Sequence, residues 1–479
     1  MSFNKRFTAH PIQAICFLKP IAFILLIPLF KALIDSLLRR EINGVLLNEI
    51  ILAALIIGYA VIKWRRFALL LTADSVIIKS GIFLSRTAEI KREKISSVQT
   101  VRHLTDRIFG CVTLRINTES GRRGRADFEI KLNKKDAEKI WNEIFCKNEA
   151  QTVKFSAIRV ALMAATASSA FTGLIFIVPI IKRSGTLLGT AIERVLIDRI
   201  NQISEAFSEI LPPVINTVTV IFLLLYSVAF LISFFKYVNF RVRISNGIMQ
   251  IVSGLITRFT ITFKIKSVNS TTIEQSPLMR IFGRYNVRVS IGGYGDNKGY
   301  KAVVIPSAKE KEVKNLFTDF FPGTVKTPKE EVIKPHKNSR KRFYLIPTIS
   351  LAGVLSAYFF FKRLFPTFSE IIDFLLLIFL AAILCFFALA EYNYKNSKIL
   401  ISNTIYAKYS KWVLSREMFC DARRIGVIHI TRWPTDHRHK TCNIRLTERS
   451  ESAESVSVKH ISYKKINKEL IRFYGFEDE

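Results

Sequence analysis

The chain has 479 residues, 49% of them hydrophobic, and 71 Lys and Arg against 38 Asp and Glu give a formal net charge of +33. This apolar content excludes a disordered chain. The basic charge by itself would suggest nucleic acid, but the sequence has no helix-turn-helix, zinc-finger or aromatic RNA-binding pattern, so we expect no nucleic-acid partner. The six cysteines lack paired spacing, which predicts no disulfide framework and is typical of a reducing compartment.

Six apolar runs are long enough to cross a bilayer, which takes about 20 residues. In chain order they are Ile12–Leu38, Val45–Ile62, Ala157–Ile181, Leu211–Phe235, Phe343–Phe361 and Ile371–Ala390. They fall into three pairs, and a short polar turn joins the members of the first and third pairs. The sequence therefore predicts six transmembrane helices in three hairpins.

The distribution of charge predicts the orientation of these hairpins. Most of the basic excess falls in three polar segments, about 73–155, 236–342 and 391–479, and basic residues flank the hairpins on that same side. By the positive-inside rule, these segments and both termini are cytoplasmic. We therefore expect a multi-pass protein of the cytoplasmic membrane.

The connection between the third and fourth spans has a pattern of its own. Apolar residues recur at helical spacing from Leu188 to Ile210, with charged residues between them. This predicts an amphipathic outer helix over 187–210 that lies at the interface or packs on a partner. A helix that only covers the bundle explains the pattern equally well.

The first two polar segments are repeats of one another. They align without a gap at an offset of 173 residues, so that Arg107-Ile108-Phe109-Gly110 matches Arg280-Ile281-Phe282-Gly283. The motif residues shared by the two segments are Ser80, Gly81, Arg107, Phe109, Gly110, Ser253, Gly254, Arg280, Phe282 and Gly283. The third segment matches less well, because His437-Arg438-His439-Lys440 stands where the arginine and glycine should recur.

Each segment begins with alternating, strand-like runs and finishes with one amphipathic helix. Asn133 is the expected N-cap of the first helix, Ser307 with Glu310 forms a capping box for the second, and Ser462 starts the third, which ends at Gly475. Several short strands closed by a helix predict a small β-sandwich or barrel in every segment.

These residues resemble a known family. The Ser-Gly strand end and the Arg-Ile-Phe-Gly turn, directly after a pair of spans, are similar to the bacterial pleckstrin-homology-like (PH-like) domain of the second class, in membrane proteins with three copies of it. The resemblance implies an α+β fold, with two roughly orthogonal sheets capped by a helix. The resulting organisation is a hairpin (1–72), PH-like domain 1 (73–150), a hairpin with the outer helix (151–236), domain 2 (237–322), a basic linker (323–342), a hairpin (343–392) and a divergent domain 3 (393–479).

The Arg-x-x-Gly motif is open to two interpretations. The arginine could bind a phosphate or carboxylate through its planar fork. The structural interpretation is a tight turn in which glycine supplies positive φ and the intervening Ile108/Phe109 and Ile281/Phe282 enter the core. We favour the structural interpretation.

Clusters of basic residues are the candidate contacts with lipid headgroups, because the inner leaflet is anionic. They are Lys91, Arg92, Lys94, Arg122, Arg123, Arg125, Lys264, Lys266, Arg340, Lys341 and Arg342. A solvated face that only fixes topology explains these clusters about equally well.

The sequence offers no catalytic, cofactor or metal site. His437, His439 and Cys442 lack metal-ligand spacing, and no nucleophile lies in a catalytic context. We therefore expect a non-enzymatic membrane scaffold or interaction protein, with anionic lipid and a protein partner or a second copy as its partners. The resemblance implies a role in envelope stress or resistance to membrane-active compounds. A transporter or channel component is the alternative, and a lipid-modifying enzyme ranks third.

Overall fold

The computed structural model describes residues 5–39, 44–82, 84–119, 126–145, 151–167, 202, 213–292, 302–321, 332–335, 339–411, 413–449 and 455–475. The chain divides into two compact units. The first comprises residues 1–153, 241–267 and 292–296, and the second comprises 154–240, 268–291 and 297–479. The second sequence repeat is thus shared between the units.

The first repeat consists of strands around one helical hairpin, closed by a helix. Its elements are β1 (Lys5–Thr8), α1 (Ile12–Arg39), α2 (Gly44–Arg65), β2 (Ala68–Leu71), β3 (Ser75–Ser80), β4 (Arg86–Lys91), β5 (Ile95–Arg102), α3 (Leu104–Ile108), β6 (Cys111–Thr118), β7 (Phe128–Asn133) and α4 (Lys134–Ile144).

The second repeat has the same order of elements. They are β8 (Gln151–Lys154), α5 (Ala157–Ala167), α6 (Pro213–Tyr237), β9 (Arg241–Ser245), β10 (Ile248–Ser253), β11 (Arg258–Lys264), β12 (Val268–Gln275), α7 (Pro277–Ile281), β13 (Arg284–Ile291), β14 (Ala302–Lys309) and α8 (Glu310–Phe320). The predicted outer helix over 187–210 lies almost entirely outside the described residues.

The third repeat follows the same plan once more. Its elements are α9 (Arg340–Phe343), α10 (Leu345–Leu364), α11 (Ser369–Asn396), β15 (Lys398–Leu400), β16 (Thr404–Lys411), β17 (Leu414–Asp421), β18 (Ile425–Thr431), α12 (Pro434–His439), β19 (Thr441–Glu448), β20 (Ser455–Ser462) and α13 (Tyr463–Tyr474).

Three helices are long and apolar enough to cross a membrane by length and composition, within the part of the chain that the structure describes. They are Leu46–Arg65, Leu345–Leu364 and Leu375–Asn396. The third and fourth predicted spans are represented by shorter apolar helices, Ala157–Thr166 and Ile221–Tyr237. The count of six spans therefore stays a prediction.

The described strands form four antiparallel sheets. Their strand orders are β1-β2-β3-β4 and β7-β6-β5-β11-β10-β9-β8 in the first unit, and β14-β13-β12-β17-β16-β15 and β18-β19-β20 in the second. The core of the first unit lies between its two sheets and α4, with Leu69, Leu114 and Ile140 fully buried. In the second unit, Ile399, Met418 and Ile444 occupy the equivalent core. This is the PH-like architecture that the sequence predicts.

Consecutive repeats share sheets. In the first unit β11 pairs with β5 from Arg258 beside Arg102 to Phe263 beside Ser97. In the second unit β12 pairs with β17 over six residues in the same antiparallel manner. Each pairing satisfies two strand edges that would otherwise expose unpaired backbone groups. The repeats are therefore joined by main-chain hydrogen bonds as well as by the chain itself.

The closing helix of a repeat also packs on the following repeat. The Trp141 Nε1 donates to Thr262 Oγ1 at 2.8 Å in the first unit. In the second unit the ring centroids of Phe317 and Phe419 lie 5.9 Å apart. Each shared sheet is thus covered by a helix that holds both of its halves.

Two of the three helix starts are confirmed. Asn133 is the N-cap of α4, and Ser462 is the N-cap of α13, which ends at Gly475 in the left-handed region with φ +66°. The capping box at Ser307 is wrong, because α8 begins at Glu310, after Lys309. Ser307 is buried instead, and its backbone N–H donates to Asn286 Oδ1 at 2.8 Å.

Candidate leaflet-facing site

Because consecutive strands of the first repeat are antiparallel, each turn between them lies at one of the two ends of the domain. β2 starts immediately after α2, so every second turn returns to the helices of the predicted hairpin, and we call this end the span-side end. The β3–β4 loop lies there, since Arg66 Nη1 donates to the Ile82 carbonyl at 2.5 Å. α3 lies at the same end, because β5 runs back toward the spans. The turn over 92–94 lies at the opposite, distal end.

The second unit has its own span-side end. α7 contacts α5, and the Arg280 guanidinium lies over the ring of Tyr392 of α11, with Cζ 4.0 Å from the ring centroid. α12 reaches the start of a span through an ion pair between Asp436 and Arg342. The short helices α7 and α12 therefore both adjoin helices of predicted hairpins.

Large apolar side chains are exposed on these short helices. The exposed fractions are 79% for Ile108 and 77% for Ile281, and Phe109 and Phe282 are each 57% exposed. The prediction that these four residues enter the core is wrong. The inward position of each helix is taken two residues before the isoleucine, by Asp106 in α3 and Met279 in α7, so the motif turns its apolar residues outward.

The exposed apolar surface continues onto neighbouring loops. Arg107 Nη2 donates to the Leu255 carbonyl at 2.6 Å, which places α3 beside the exposed β10–β11 loop. We call α3 and the equivalent helices α7 and α12, with their adjoining loops, the apolar tips. Their exposed large apolar side chains are Leu84, Leu104, Ile108, Phe109, Leu255, Ile256, Leu278, Ile281, Phe282, Val413 and Trp433.

The third repeat keeps the turn although it lacks the glycine. Gly110 and Gly283 have φ of +69° and +59°, as a tight turn requires, and Lys440 has φ of +53° at the matching position. Asp436 is buried in α12 as Asp106 is in α3. The absence of Arg-x-x-Gly from the third segment therefore reflects a change of residue on a retained backbone.

A buried carboxylate ties α3 to the first hairpin. Asp106 accepts from Lys131 Nζ at 2.5 Å and from the His103 N–H at 3.1 Å. The Lys131 backbone N–H in turn donates to Gln13 of α1 at 2.9 Å. Burial would raise the pKa of Asp106, but the hydrogen bonds from Lys131 and His103 outweigh it and hold that pKa below its ordinary value.

The equivalent carboxylate ties α12 to the third hairpin. Asp436 accepts from Arg342, from Thr441 Oγ1 at 2.9 Å and from the Trp433 N–H at 2.9 Å. Burial opposes ionisation, but these bonds and the positive charge of Arg342 keep the pKa of Asp436 low. His460 lies beside it, with Nδ1 3.6 Å from Asp436 Oδ1, and burial lowers the pKa of this imidazole.

The basic residues proposed to contact headgroups are placed at both ends. Arg340 and Lys341 are exposed at the start of the third hairpin, whereas Arg342 is held by Asp436. Three other described cations lie at the distal turn of the first repeat, Lys91, Arg92 and Lys94. Arg92 donates there to the Thr72 and Glu143 carbonyls at 2.6 and 3.1 Å.

Two of the remaining candidate cations are described by the structure, and both lie away from the span-side end. Lys264 and Lys266 lie at the distal end of β11, and Lys264 Nζ donates to the Arg92 carbonyl at 3.2 Å. Arg122, Arg123 and Arg125 lie outside the described residues. Headgroup contact by these distal cations stays a prediction, and their position does not favour it.

A cationic pocket in the second unit was missed by sequence reasoning. Glu274, one of its lining residues, is 6% exposed in its side chain and pairs with Arg288 at 2.7 Å and with Arg416 at 2.8 Å. The three residues lie on β12, β13 and β17, so only the sharing of the sheet between repeats brings them together. Glu274 is the only charged residue of strand β12, near the end of that strand, and this is the signal for the pocket that the sequence carries.

No metal site emerges among the residues that the structure describes, where no group of three His, Cys, Asp or Glu side chains is suitably placed. Cys442, considered with His437 and His439 as a ligand, is buried in the core of the third repeat, where burial raises the pKa of its thiol to about 12.

Comparison with known proteins agrees with this architecture. The profile of the family described as Bacterial PH domain matches residues 22–146 and 169–319. A UPF0699 transmembrane protein of Bacillus subtilis, YdbT, is 22% identical over an alignment of 297 residues that covers 56% of this chain and 58% of the relative. The chain thus spans little more than half the length of that relative, and no solved structure matches it significantly. Since the profile covers more than half of the sequence, the chain belongs to the bacterial PH domain family.

Proposed function

We propose that the protein is a non-enzymatic membrane scaffold that seats three PH-like domains on the anionic cytoplasmic leaflet. It crosses the membrane six times, both termini are cytoplasmic, and the apolar tips enter the interfacial layer of the bilayer. The family and the apolar helices support a membrane protein. The location of the apolar tips beside the predicted hairpins supports their entry into the interfacial layer.

The observation that carries this proposal is the exposure of large apolar side chains at the span-side ends. A soluble surface rarely exposes such groups next to one another without a partner. The spanning helices fix the neighbouring bilayer at this end, so the leaflet is the surface that the tips meet. Full burial of a side chain such as Ile108 or Phe109 is worth about 1.5–3 kcal/mol.

The shared sheets support a scaffold in particular. A repeat that is hydrogen-bonded to the next through β5 and β11, or through β12 and β17, cannot swing independently of it. Loose domains on linkers would suit a flexible recruiter, whereas joined domains hold bound partners at fixed spacing. We expect protein partners or a second copy of the chain to use this fixed arrangement in the response to membrane stress.

The third hairpin is less suited to the transporter alternative. A groove of about 700 Å³ between α10 and α11 is lined almost entirely by apolar side chains, including Val354, Phe361 and Leu376. The charged residues beside it, Lys362 and Asp373, are paired at 2.8 Å. Such a groove favours contact with lipid chains over passage of a polar solute.

Tryptophan fluorescence in reconstituted vesicles tests the proposal. The full chain carrying Ile108→Trp or Ile281→Trp is placed in vesicles whose phospholipids are brominated in their acyl chains, and the emission of the wild type is subtracted. We expect strong quenching of both tip positions. Glu93→Trp, on the distal turn of the first repeat, is the matched control and should not be quenched.

Trp433 provides a native reporter in the third repeat, through the difference between the wild type and Trp433→Phe. If tip and distal tryptophans are quenched equally little in correctly inserted protein, the tips do not enter the leaflet and the proposed seating is wrong.

A further inference from the structure

A pocket of about 250 Å³ opens in the second unit where the second hairpin meets the shared sheet. Thr166 of α5 and Ser233 and Lys236 of α6 line it. Glu274 of β12 and Arg416 of β17 line it as well. Residues of the second hairpin and of strands from two repeats therefore meet at this pocket.

Positive charge exceeds negative charge in this pocket. The lining includes three cations, Lys236, Arg288 and Arg416, against one carboxylate, that of Glu274. Arg416 places both Nε and Nη2 on Glu274 Oε1, at 2.9 and 2.8 Å, and Arg288 Nε lies 2.7 Å from Oε2. The Glu274 carboxylate fixes both guanidinium groups. Because the lining carries more positive than negative charge, this site favours an anion.

The chemistry of the lining selects a phosphate. Guanidinium groups bind phosphate oxygens through parallel N–H donors, and Lys236 adds an ammonium group. Hydroxyl and amide groups of Ser233, Ser276 and Asn286 also line the pocket. Liquid water occupies about 30 Å³ per molecule, so the volume accommodates a phosphate with a small headgroup but not the acyl chains of a lipid.

The surroundings supply a place for those chains. Met279 of α7 lines the pocket, and the same short helix exposes Leu278 and Ile281, followed by the exposed C-cap residue Phe282. A cationic cavity beside an exposed apolar tip matches an amphiphile with an anionic head and apolar tails. A water-soluble phosphate would use the cavity alone and gain nothing from the tip.

We propose that this pocket binds the phosphate headgroup of an anionic phospholipid from the cytoplasmic leaflet. This inference rests on the proposed seating of the domains at that leaflet, and it names the lipid class and the residues that hold it. Lys236, Arg288 and Arg416 contact the phosphate, Glu274 positions the two arginines, and the acyl chains pass along α7.

Titration of the purified full chain in neutral detergent tests the inference. The probes are short-chain phosphatidylglycerol, short-chain phosphatidylcholine, glycerol phosphate and inorganic phosphate, each followed by calorimetry. We expect phosphatidylglycerol to bind at least tenfold more tightly than the other three. Lys236→Gln, which alters an exposed side chain, should weaken its binding about fivefold, since each basic group near an anionic lipid is worth about that factor. The distal variant Lys94→Gln is the matched control and should bind as the wild type does.

Arg288→Lys provides a second variant, because it keeps the charge but loses the planar fork, and it should weaken binding several-fold while the chain stays folded. Equal affinity for glycerol phosphate and phosphatidylglycerol would overturn the inference in favour of a soluble phosphate. Unchanged binding in both Lys236→Gln and Arg288→Lys would overturn the pocket. If either result accompanies strong quenching of the tryptophan at position 281, the pocket is wrong and the proposed seating stands. Absent quenching would contradict the seating itself.

Discussion

Asp106 and Asp436 occupy the same position in the first and third repeats, and each is buried where a short helix meets the residues that lead into a hairpin. The partner of Asp106 is Lys131 on the closing strand of the domain, whereas the partner of Asp436 is Arg342, directly before a predicted span. The second repeat has Met279 there, a buried apolar residue. The same joint is therefore built twice with an ion pair and once with apolar packing.

Removing the charge of Asp436 should destabilise the third repeat. Asp436→Asn removes the carboxylate from its largely buried ion pair with Arg342, and breaking a buried pair by removing one partner costs about 3 kcal/mol. Chemical denaturation of the full chain in detergent, followed by limited proteolysis of the third repeat, measures the loss. Asp421→Asn, which breaks the exposed pair with Arg423, should change stability little. Equal effects of the two variants would contradict the structural role of Asp436.

Stability should fall as the pH drops below 6.5, partly through His460. Burial lowers the pKa of this imidazole below its ordinary value of 6.5. Between 6.5 and the lower folded value, the unfolded chain binds a proton that the folded chain does not, so unfolding becomes more favourable as the pH falls. The low pKa of Asp436 acts in the same direction only in more acidic solution, below 3.8.

The variant His460→Asn isolates this contribution, since asparagine tolerates the positive φ of +55° at this position. Its unfolding midpoint should change less between pH 7 and pH 5 than that of the wild type. The comparison is needed because burial also lowers the pKa of His10 in the first repeat. Parallel curves for the two proteins would exclude His460 as the source.

Replacing Lys440 by glycine should remove the strain of its left-handed backbone conformation. A side chain in the left-handed region costs roughly 1 kcal/mol, so Lys440→Gly should stabilise the third repeat by about that amount. Gly110→Ala is the reciprocal change, and it should destabilise by about 1 kcal/mol because of φ alone, since a Cβ there meets nothing within 4 Å. Thermal unfolding of both variants gives the two values. A destabilised Lys440→Gly would show that its side chain contributes more than its strain.

The pairing of β5 with β11 should protect the amides of both strands. Thr260→Pro removes a backbone N–H in β11 at the residue opposite Thr100, and we expect faster hydrogen exchange over 97–102. Thr260→Val keeps the N–H and should leave exchange as in the wild type. Unchanged protection in the proline variant would mean that the shared sheet does not hold the repeats together.

The local pattern of the sequence was sufficient for the repeated unit. Apolar runs with basic flanks identified the helices, alternation identified strands, and the residues around Asn133 and Ser462 identified two helix starts, because all of these are set by neighbours along the chain. The Gly110 turn was also accessible, since only glycine adopts positive φ at no cost. The equivalent turn at Lys440 could not be predicted, because a lysine in the sequence does not indicate positive φ.

The apolar tips show why local pattern failed at the site. Ile108 and Phe109 read as core residues, since a soluble domain would bury them, but Asp106 takes the inward position with Lys131 as its partner. Asp106 can be buried because Lys131, on another strand, supplies a cation beside it. The spacing of residues along α3 cannot predict that partner. The same is true of Glu274, whose partners Arg288 and Arg416 come from different repeats.

The sequence by itself determined the class of the protein: a membrane-anchored chain with one unit used three times, because hydropathy and periodicity are properties of consecutive residues. Only the tertiary structure decided that consecutive repeats share sheets, through β5 with β11 and through β12 with β17. It also decided that the basic clusters at Lys91 and Lys264 lie away from the predicted spans, while the apolar tips lie beside them. Strand pairing is governed by backbone hydrogen bonds, which are alike for every residue, so the choice of partner strand becomes visible only when the chain is folded.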